Sequence, residues 1–220
     1  MSVADAPEEA PGVERLLTLS DGVVAIALTL LVLQLAVPTI DGVSAKNAQS
    51  AHYLWTQLKH RGGDQLTAYV VSFYVIAQFW LTHHRVFRSI RGHDEGLAWW
   101  NFAFLFTITI MPFSSDLIGR FGSNPLAIDL FALNLLLASL STQGLRVYAR
   151  RHGLESYQPD PHELRSSYFR VWTVNAIIVF TAVLAWFDAS LAIFCWLLLL
   201  PAQRVSGRLA TRFPGRPAPA

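Results

Sequence analysis

The sequence predicts an all-α integral membrane protein with six transmembrane helices per subunit. Its composition indicates this class first: of 220 residues, 53% are apolar and 15% are charged, whereas soluble domains carry roughly 25% charged residues. The charged residues also avoid several long apolar stretches, and most Lys and Arg residues lie in alternate connections between them or beyond the first and last stretches. A buried helix of a soluble protein does not explain these stretches, because a soluble fold needs polar helix faces that the sequence lacks.

Five apolar stretches are long enough to cross the hydrocarbon core, which takes about 20 helical residues with a range of about 17–25. Asp21 and Asp129 are their only charged residues. A sixth stretch is shorter, and it reaches this length only if it includes polar neighbours at both ends. The six predicted spans are residues 16–37, 66–84, 97–115, 125–145, 171–187 and 189–202.

The basic residues predict how these spans are oriented. All but four of the 17 Lys and Arg residues lie before the first span, after the sixth, or in the second-to-third and fourth-to-fifth connections. Short connections rich in Lys and Arg stay in the cytoplasm, so we expect both termini to be cytoplasmic. The asymmetry also supports the weak sixth span, because five spans would leave the last four arginines outside. The four exceptions are Lys46, Lys59, Arg61 and Arg120.

The spans form one predicted transmembrane domain, residues 15–206. Residues 1–14 are acidic and rich in Pro and Ala, without the basic region of a signal peptide, and are predicted to be a disordered tail. Residues 207–220 form a second tail, which is basic and Pro-rich. The longest outer connection covers roughly 38–65, and its segment 44–59 has few helix breakers and is predicted to form a helix at the membrane surface.

Polar residues of three spans are predicted to share one layer near the cytoplasmic end. Asp21 lies about 6 Å inside the first span, given a rise of 1.5 Å per residue, and the second and third spans bring polar residues to a similar depth. Such a layer is either a hydrogen-bond cluster that joins the helices or a catalytic or metal centre. We favour the cluster, because the carboxylates and histidines are too few to complete a metal shell. The layer comprises Arg15, Ser20, Asp21, His83, His84 and Asn101, with Arg85 as a further cap.

An apolar stripe follows a different side of the first span. Ile26, Leu30, Leu33 and Val37 recur at spacings of four, three and four residues, with Thr29 beside them, so they share one helix face. The stripe either packs against a neighbouring helix or lines a pore formed by the same helix from several subunits, where apolar rings exclude water. Spacing alone favours packing.

The first span resembles a known signature. Residues 15–35, RLLTLSDGVVAIALTLLVLQL, resemble R-x-x-x-F-S-D…I-x-x-T-L-L-x-L-x-L of the transmembrane protein 175 family, the potassium channels of lysosomes and endosomes, which has single-repeat prokaryotic relatives. The second span resembles the family's pattern of a Trp followed by paired histidines, here Trp80, His83 and His84, and Asn101 resembles its third-helix Asn. Leu19 departs from the signature, which has Phe at this position.

The resemblance implies a K⁺-selective channel rather than an enzyme, with four copies of the chain around one pore in the prokaryotic cell membrane. It implies that the first helix lines the pore, with Ile26 at the narrowest ring and Leu30 and Leu33 at further apolar rings. Thr29 matches a position tied to the preference for K⁺ over Na⁺. In this scheme the polar layer is structural, no cofactor or bound metal is needed, and K⁺ is the permeating ion. The expected partners are the lipid bilayer and other copies of the chain, not nucleic acid.

Two other functions stay open beside the channel. A secondary transporter typically shows two related halves and helices broken near the midplane, and neither feature is evident in the sequence. A membrane-embedded metalloenzyme is suggested by the pair His83 and His84, but the other histidines are scattered over both sides of the predicted membrane domain.

Overall fold

The structure is a computed structural model that describes residues 11–35, 51–52, 55–56, 62–156 and 160–196. Most of the predicted surface helix at 44–59 lies outside these residues, as do 1–10 and 207–220 of the predicted tails. Within the described residues the fold is all-helical, as predicted, and contains six helices. They are α1 Pro11–Val32, α2 Gly62–Phe87, α3 Glu95–Phe121, α4 Pro125–Arg151, α5 Pro161–Ala185 and α6 Ala189–Cys195.

Four of these helices are long and apolar enough to cross a membrane. The segments are Gly12–Val32 of α1, Glu95–Phe121 of α3, Pro125–Arg151 of α4 and Leu164–Ala185 of α5. Helix α2 has 26 residues and is long enough, but its polar residues at both ends keep it out of this group. The described part of α6 has seven residues, and the rest of the predicted sixth span lies beyond the described residues. The prediction of membrane-crossing helices is therefore confirmed for four of the six spans.

The starts of α3 and α4 follow from residues that satisfy free backbone N–H groups. The Asp94 carboxylate accepts the Leu97 N–H at 2.7 Å, and the Asn124 side chain accepts the Leu126 N–H at 3.0 Å. Pro125 then begins α4 at a position where a missing N–H costs nothing. Helix α4 ends before Gly153, whose φ of 67° is a left-handed conformation that favours glycine.

Helices α1 and α5 begin five and ten residues before their predicted spans. Helix α1 begins at Pro11, inside the predicted tail 1–14, and its first turns bury Val13 and Leu16 in an apolar cluster. Helix α5 begins at Pro161, ten residues before the predicted span at 171. Proline suits the first turn of a helix, so Pro161 starts a helix here instead of extending the connection. This helix start places Arg170 on α5 itself.

The helices pack mainly on their neighbours in the chain, and α1 packs on both α2 and α3. Helices α3 and α4 make close contacts at two glycines. A Cβ at Gly96 would overlap the Tyr148 hydroxyl, and one at Gly144 would overlap the Trp100 ring. Helix α5 packs on α4 and α6. The main core between the helices is centred on Leu31, Ile76, Phe104, Ile108, Phe131 and Leu135, all fully buried.

A second apolar cluster joins four helix ends. It combines Leu16 near the start of α1, Phe87 at the end of α2, Leu97 at the start of α3 and Leu145 near the end of α4. The α2–α3 and α4–α5 connections therefore lie at the same end of the bundle. These two connections are rich in Arg, so their basic residues gather at one end of the bundle, which we call the arginine end.

The two connections at the arginine end also bond to each other. The backbone N–H groups of Arg91 and Gly92 donate to the Leu154 carbonyl at 2.8 and 3.2 Å, and the Ser156 N–H donates to the Ser89 carbonyl at 2.7 Å. Ile90 and Glu155 form an antiparallel β-bridge between these bonds. The α2–α3 hairpin is thus tied through its backbone to the end of α4.

Candidate functional site

Helix α1 has one packed face and one uncovered face. Val24, Ala27 and Leu31 are buried in the main core. On the other side, Ile26 is 61% exposed, Leu30 44% and Leu33 77%. These three residues of the predicted stripe therefore do not pack inside a single chain, and its fourth member, Val37, lies outside the described residues. An apolar face of this kind needs lipid or another protein surface to cover it.

Thr29 lies on the same uncovered face as the stripe. Its hydroxyl donates to the Ile26 carbonyl one turn back, at 2.8 Å. A hydroxyl that donates its proton to the backbone still presents its oxygen lone pairs outward as acceptors. Beyond the helix end, the Gln34 side-chain amide donates to the Pro112 carbonyl of α3, which fixes the far end of α1 against the bundle.

Three residues of the predicted polar layer form one directional hydrogen-bond chain. Asn101 of α3 lies in its middle, with its Oδ1 2.8 Å from His83 Nε2 and its Nδ2 donating to Ser20 Oγ at 3.1 Å. The Ser20 hydroxyl donates in turn to the Leu16 carbonyl at 2.7 Å. Ser20, His83 and Asn101 are fully buried. The chain connects α1, α2 and α3, and it requires the His83 tautomer that carries its proton on Nε2.

Asp21 belongs to a second arm of the layer. Its Oδ1 accepts the Trp80 indole N–H at 2.7 Å, and the Trp80 ring stacks on His84 with centroids 5.5 Å apart. Trp80 is a member of the layer that the sequence reasoning left out, although an indole N–H one turn before His84 is a readable signal. Phe104 of α3 was also missed, and it stacks on His83 with centroids 4.4 Å apart.

The two predicted caps lie elsewhere. Arg15 is exposed and has no ion pair with any described residue. Arg85 lines a cavity between α2, α4 and α5, where its guanidinium donates to Thr82 Oγ1 at 3.1 Å. Its prediction as a cap of the layer was wrong, because its position on α2 directs the side chain toward α4 and α5. Across the part of the chain that the structure describes, no group of three or more His, Cys, Asp or Glu residues has a geometry that would hold a metal ion.

Known proteins are similar to this region of the chain. The family model described as the endosomal/lysosomal potassium channel TMEM175 covers residues 15–112, which hold the signature of α1, all of α2 and most of α3. A potassium channel of Streptomyces collinus is 32% identical over 146 residues, or 63% of this chain and 65% of the relative. The chain is a relative of the TMEM175 channels.

Two further TMEM175 proteins define the extent of this relationship. An endosomal/lysosomal proton channel TMEM175 of Danio rerio is 27% identical over 69% of this chain and 28% of its own length. The crystal structure of a lysosomal potassium-selective channel TMEM175 homolog from Chamaesiphon minutus has the same fold, with a TM-score of 0.71 and 23% identity over 88% of this chain and 97% of that one. The chain spans 58–65% of the length of the curated bacterial relatives that it matches.

The recognition of TMEM175 from α1, Trp80, the paired histidines and Asn101 is thereby confirmed. The matching family model and the bacterial relative are described as ion channels and not as enzymes, which weighs against the metalloenzyme. With its four long apolar helices, this TMEM175 relative is a multi-pass membrane protein.

Proposed function

We propose that the chain is the subunit of a K⁺-selective channel that conducts passively down the electrochemical gradient. In this proposal four copies surround one pore lined by α1, all six helices cross the cell membrane, and both termini are cytoplasmic. The arginine end then faces the cytoplasm, as expected for connections rich in basic residues. The proposal rests on one observation above all, the uncovered apolar face of α1 beside a packed one.

The uncovered face suits a pore better than lipid contact alone. Ile26, Leu30 and Leu33 lie one turn apart along it, so copies of α1 around an axis would form three stacked apolar rings. Water in such a ring loses hydrogen bonds and gains none, so a narrow ring resists wetting and acts as a constriction. The Thr29 hydroxyl oxygen, between the first two rings, is the polar group available to a partly dehydrated ion.

The polar layer supports this helix in the proposal and stays out of the ion path. Ser20 and Asn101 are fully buried and point away from the uncovered face. Asn101 of α3 bonds to Ser20 of α1 and to His83 of α2. At the other end of α1, Gln34 donates to the Pro112 carbonyl of α3. A pore helix held at both ends keeps its rings in register between subunits.

Proton conduction is a second candidate, because the Danio rerio relative is named a proton channel. Between Arg15 and Leu35, the exposed residues of α1 include no titratable side chain. Protons would therefore need a continuous file of water through the apolar rings. Because of this requirement, we propose K⁺ rather than protons as the ion that this chain conducts.

Current across a bilayer that holds the purified protein tests the function. We expect a reversal potential that follows the K⁺ gradient under opposed K⁺ and Na⁺ gradients, and that does not move when a pH gradient is added. A reversal potential that follows the pH gradient would establish the proton channel. Flux that saturates at low turnover and needs a co-substrate would establish a transporter and contradict the proposal.

Replacing Ile26 by Asn tests the constriction directly. If Ile26 forms a ring, polar groups there would lower the barrier to wetting, raise current per channel and relax the preference for K⁺ over Na⁺. If Ile26 packs between helices, the same change would leave a buried polar group unpartnered and cost about 1–3 kcal/mol of stability, with no gain of current. Thus, intact assemblies of Ile26→Asn with unchanged current would remove this residue from the constriction.

Leu28 is the matched control on the same helix. It is partly buried and packs on the main core, away from the uncovered face. Leu28→Asn should lower the yield or thermal stability of the assembled protein without raising current. Equal effects of the two substitutions would contradict the proposed orientation of α1 in the assembly.

A further inference from the structure

A cavity of about 290 Å³ lies between α2, α4 and α5, on the opposite side of α2 from the polar layer. Its lining changes character along the helix axis. Val75, Phe79 and Val174 form a part that is mostly apolar, beside the polar side chains of Gln78 and Ser139. Arg85, Arg146 and Arg170 line the part nearer the arginine end. Residues 75–85 of α2 cover this change over about 15 Å.

The three arginines of this cavity have no carboxylate partner among the side chains that the structure describes, where the ion pairs are Arg120–Asp116 and Arg150–Glu155. Arg146 donates to the Ser167 hydroxyl of α5, and Arg85 donates to Thr82 and to its own helix backbone. The charges of Arg85 and Arg146 both repel that of Arg170.

Three like charges at one mouth are unfavourable unless an anion joins them. Guanidinium groups bind phosphate through paired N–H donors, and such charge-assisted bonds are the strong ones. A small hydrated anion would use the charged mouth and leave the apolar part unused. A molecule with a phosphate at one end and a hydrocarbon chain at the other fits both parts.

We propose that this cavity binds one anionic phospholipid per subunit. The phosphate lies among Arg85, Arg146 and Arg170, and an acyl chain follows the apolar part along α2 and α5. Helix α5 packs on α4 and α6 while α1 packs on α2 and α3, so the site lies away from the face proposed to line the pore. The inference does not depend on which ion the protein conducts.

Thermal denaturation of the purified full chain in detergent tests the site, with three additives compared. Dioleoylphosphatidylglycerol should raise the Tm in a concentration-dependent way, because a ligand that binds the folded state alone stabilises it by mass action. Dioleoylphosphatidylcholine, which has the same chains and no net charge, should give a much smaller shift. Sodium phosphate should also give a much smaller shift, because it lacks the chains. If sodium phosphate raised the Tm as much as phosphatidylglycerol does, the cavity would be a site for free anions and the lipid proposal would be overturned.

A pair of double variants locates the site. Arg146→Gln with Arg170→Gln should weaken phosphatidylglycerol binding by about tenfold or more, since one hydrogen bond to a charged group is worth about that factor. Arg88→Gln with Arg91→Gln is the matched control, because it removes the same charge from exposed positions of the arginine end. The control should bind nearly as well as the unchanged chain. An equal loss of phosphatidylglycerol affinity in both double variants would show that the lipid is held by general electrostatic attraction to the protein surface. This result would overturn the site.

Native mass spectrometry of the same samples gives a readout that does not depend on stability. We expect one retained phosphatidylglycerol per subunit in the unchanged chain and in the Arg88 and Arg91 control, and loss of that lipid in the Arg146 and Arg170 variant. Arg146→Lys keeps the charge and should retain lipid in part, even if the glutamine variant assembles poorly. No retained lipid in the unchanged chain, or full retention after loss of both arginines, would overturn the proposal.

Discussion

At the scale of single residues, Asn101 has a role that few side chains can fill. Its amide accepts from His83 with one atom and donates to Ser20 with another, and only Asn and Gln offer both groups on one planar end. Because all three side chains are fully buried, no water can replace a lost partner. The position therefore specifies how three helices meet.

Replacing Asn101 by Leu should lower the free energy of unfolding by about 1–3 kcal/mol, because His83 Nε2 would lose its acceptor in a buried site. Thermal or denaturant unfolding in detergent measures this loss. Thr109→Ala on the same helix is the control, since Thr109 is exposed and bonds only to the Phe106 carbonyl of α3. The control should change stability by less than about 0.5 kcal/mol. Equal stability of the two variants would contradict a structural role for Asn101.

The Asp21–Trp80 bond can be measured by a double-mutant cycle with Asp21→Ala, Trp80→Phe and the pair. Hydrogen bonds between membrane helices couple by roughly 0.6 kcal/mol on average and up to about 1.7, so assembly should weaken and not vanish. Coupling near zero would remove this bond from the interactions that hold α1. If Asp21→Ala assembles normally but does not conduct, Asp21 belongs to the ion path.

At the scale of elements, the start of α3 depends on Asp94. Its carboxylate accepts the Leu97 N–H at 2.7 Å and the Tyr148 hydroxyl at 2.9 Å, so it joins α3 to α4 above the close contact at Gly96. Partial burial raises the pKa of Asp94, but the bonds from Leu97 and Tyr148, together with the charges of His152 and His93, outweigh this effect and lower the net pKa. The folded state thus favours the ionised carboxylate.

Asp94→Ala should cost about 0.5–2 kcal/mol at neutral pH, the usual range for loss of a helix cap. Because the pKa is lower in the folded state, this stabilisation is present above the usual value of 3.8 and is lost as the pH falls through the folded value. The difference in free energy of unfolding between the wild-type protein and Asp94→Ala should therefore disappear at acidic pH. Tyr148→Phe should remove part of this stability difference. A stability difference that stays constant with pH would contradict the role of the carboxylate.

Element boundaries show what local sequence does and does not determine. The apolar stretches at 97–115 and 125–145 predicted α3 and α4, because long apolar runs leave little alternative in a membrane. The start of α5 at Pro161 was missed, because the first turns of this helix are polar and precede the apolar stretch 171–187, although proline often begins helices. Arg85 was misplaced for a different reason: its direction depends on how α2 rotates against α4 and α5, which is a tertiary property.

At the scale of the whole molecule, the uncovered face of α1 predicts assembly. One copy of α1 cannot enclose a pore, so the functional unit should be a homotetramer. Mass measurement in detergent tests this directly, and a monomer or dimer that still conducts would contradict it. Of the candidate site, the sequence indicated the stripe through the spacing of its residues and the polar layer through their similar depth in three spans. It did not predict the arginine cavity, whose members come from three helices with no shared spacing.

Cysteine cross-linking tests which face meets the axis. In a Cys195→Ala background, Leu33→Cys should form disulfide-linked pairs under oxidation, because like residues of neighbouring subunits approach one another around a central axis. Phe180→Cys is the control, at a position of α5 that is 60% exposed against 77% for Leu33, and it should remain unpaired. Paired Phe180→Cys chains with unpaired Leu33→Cys chains would place α5 at the interface and reverse the assembly.

The β-bridge between Ile90 and Glu155 has a mechanical consequence. With its flanking backbone bonds it fixes the end of α2 and the start of α3 to the end of α4, so these helices cannot separate at the arginine end without breaking several hydrogen bonds together. Any widening of the bundle must then pivot about this end, with the larger displacement near the other end of α1. The amide protons of Arg91, Gly92 and Ser156 should accordingly exchange with solvent more slowly than loop amides usually do, even while the opposite end opens.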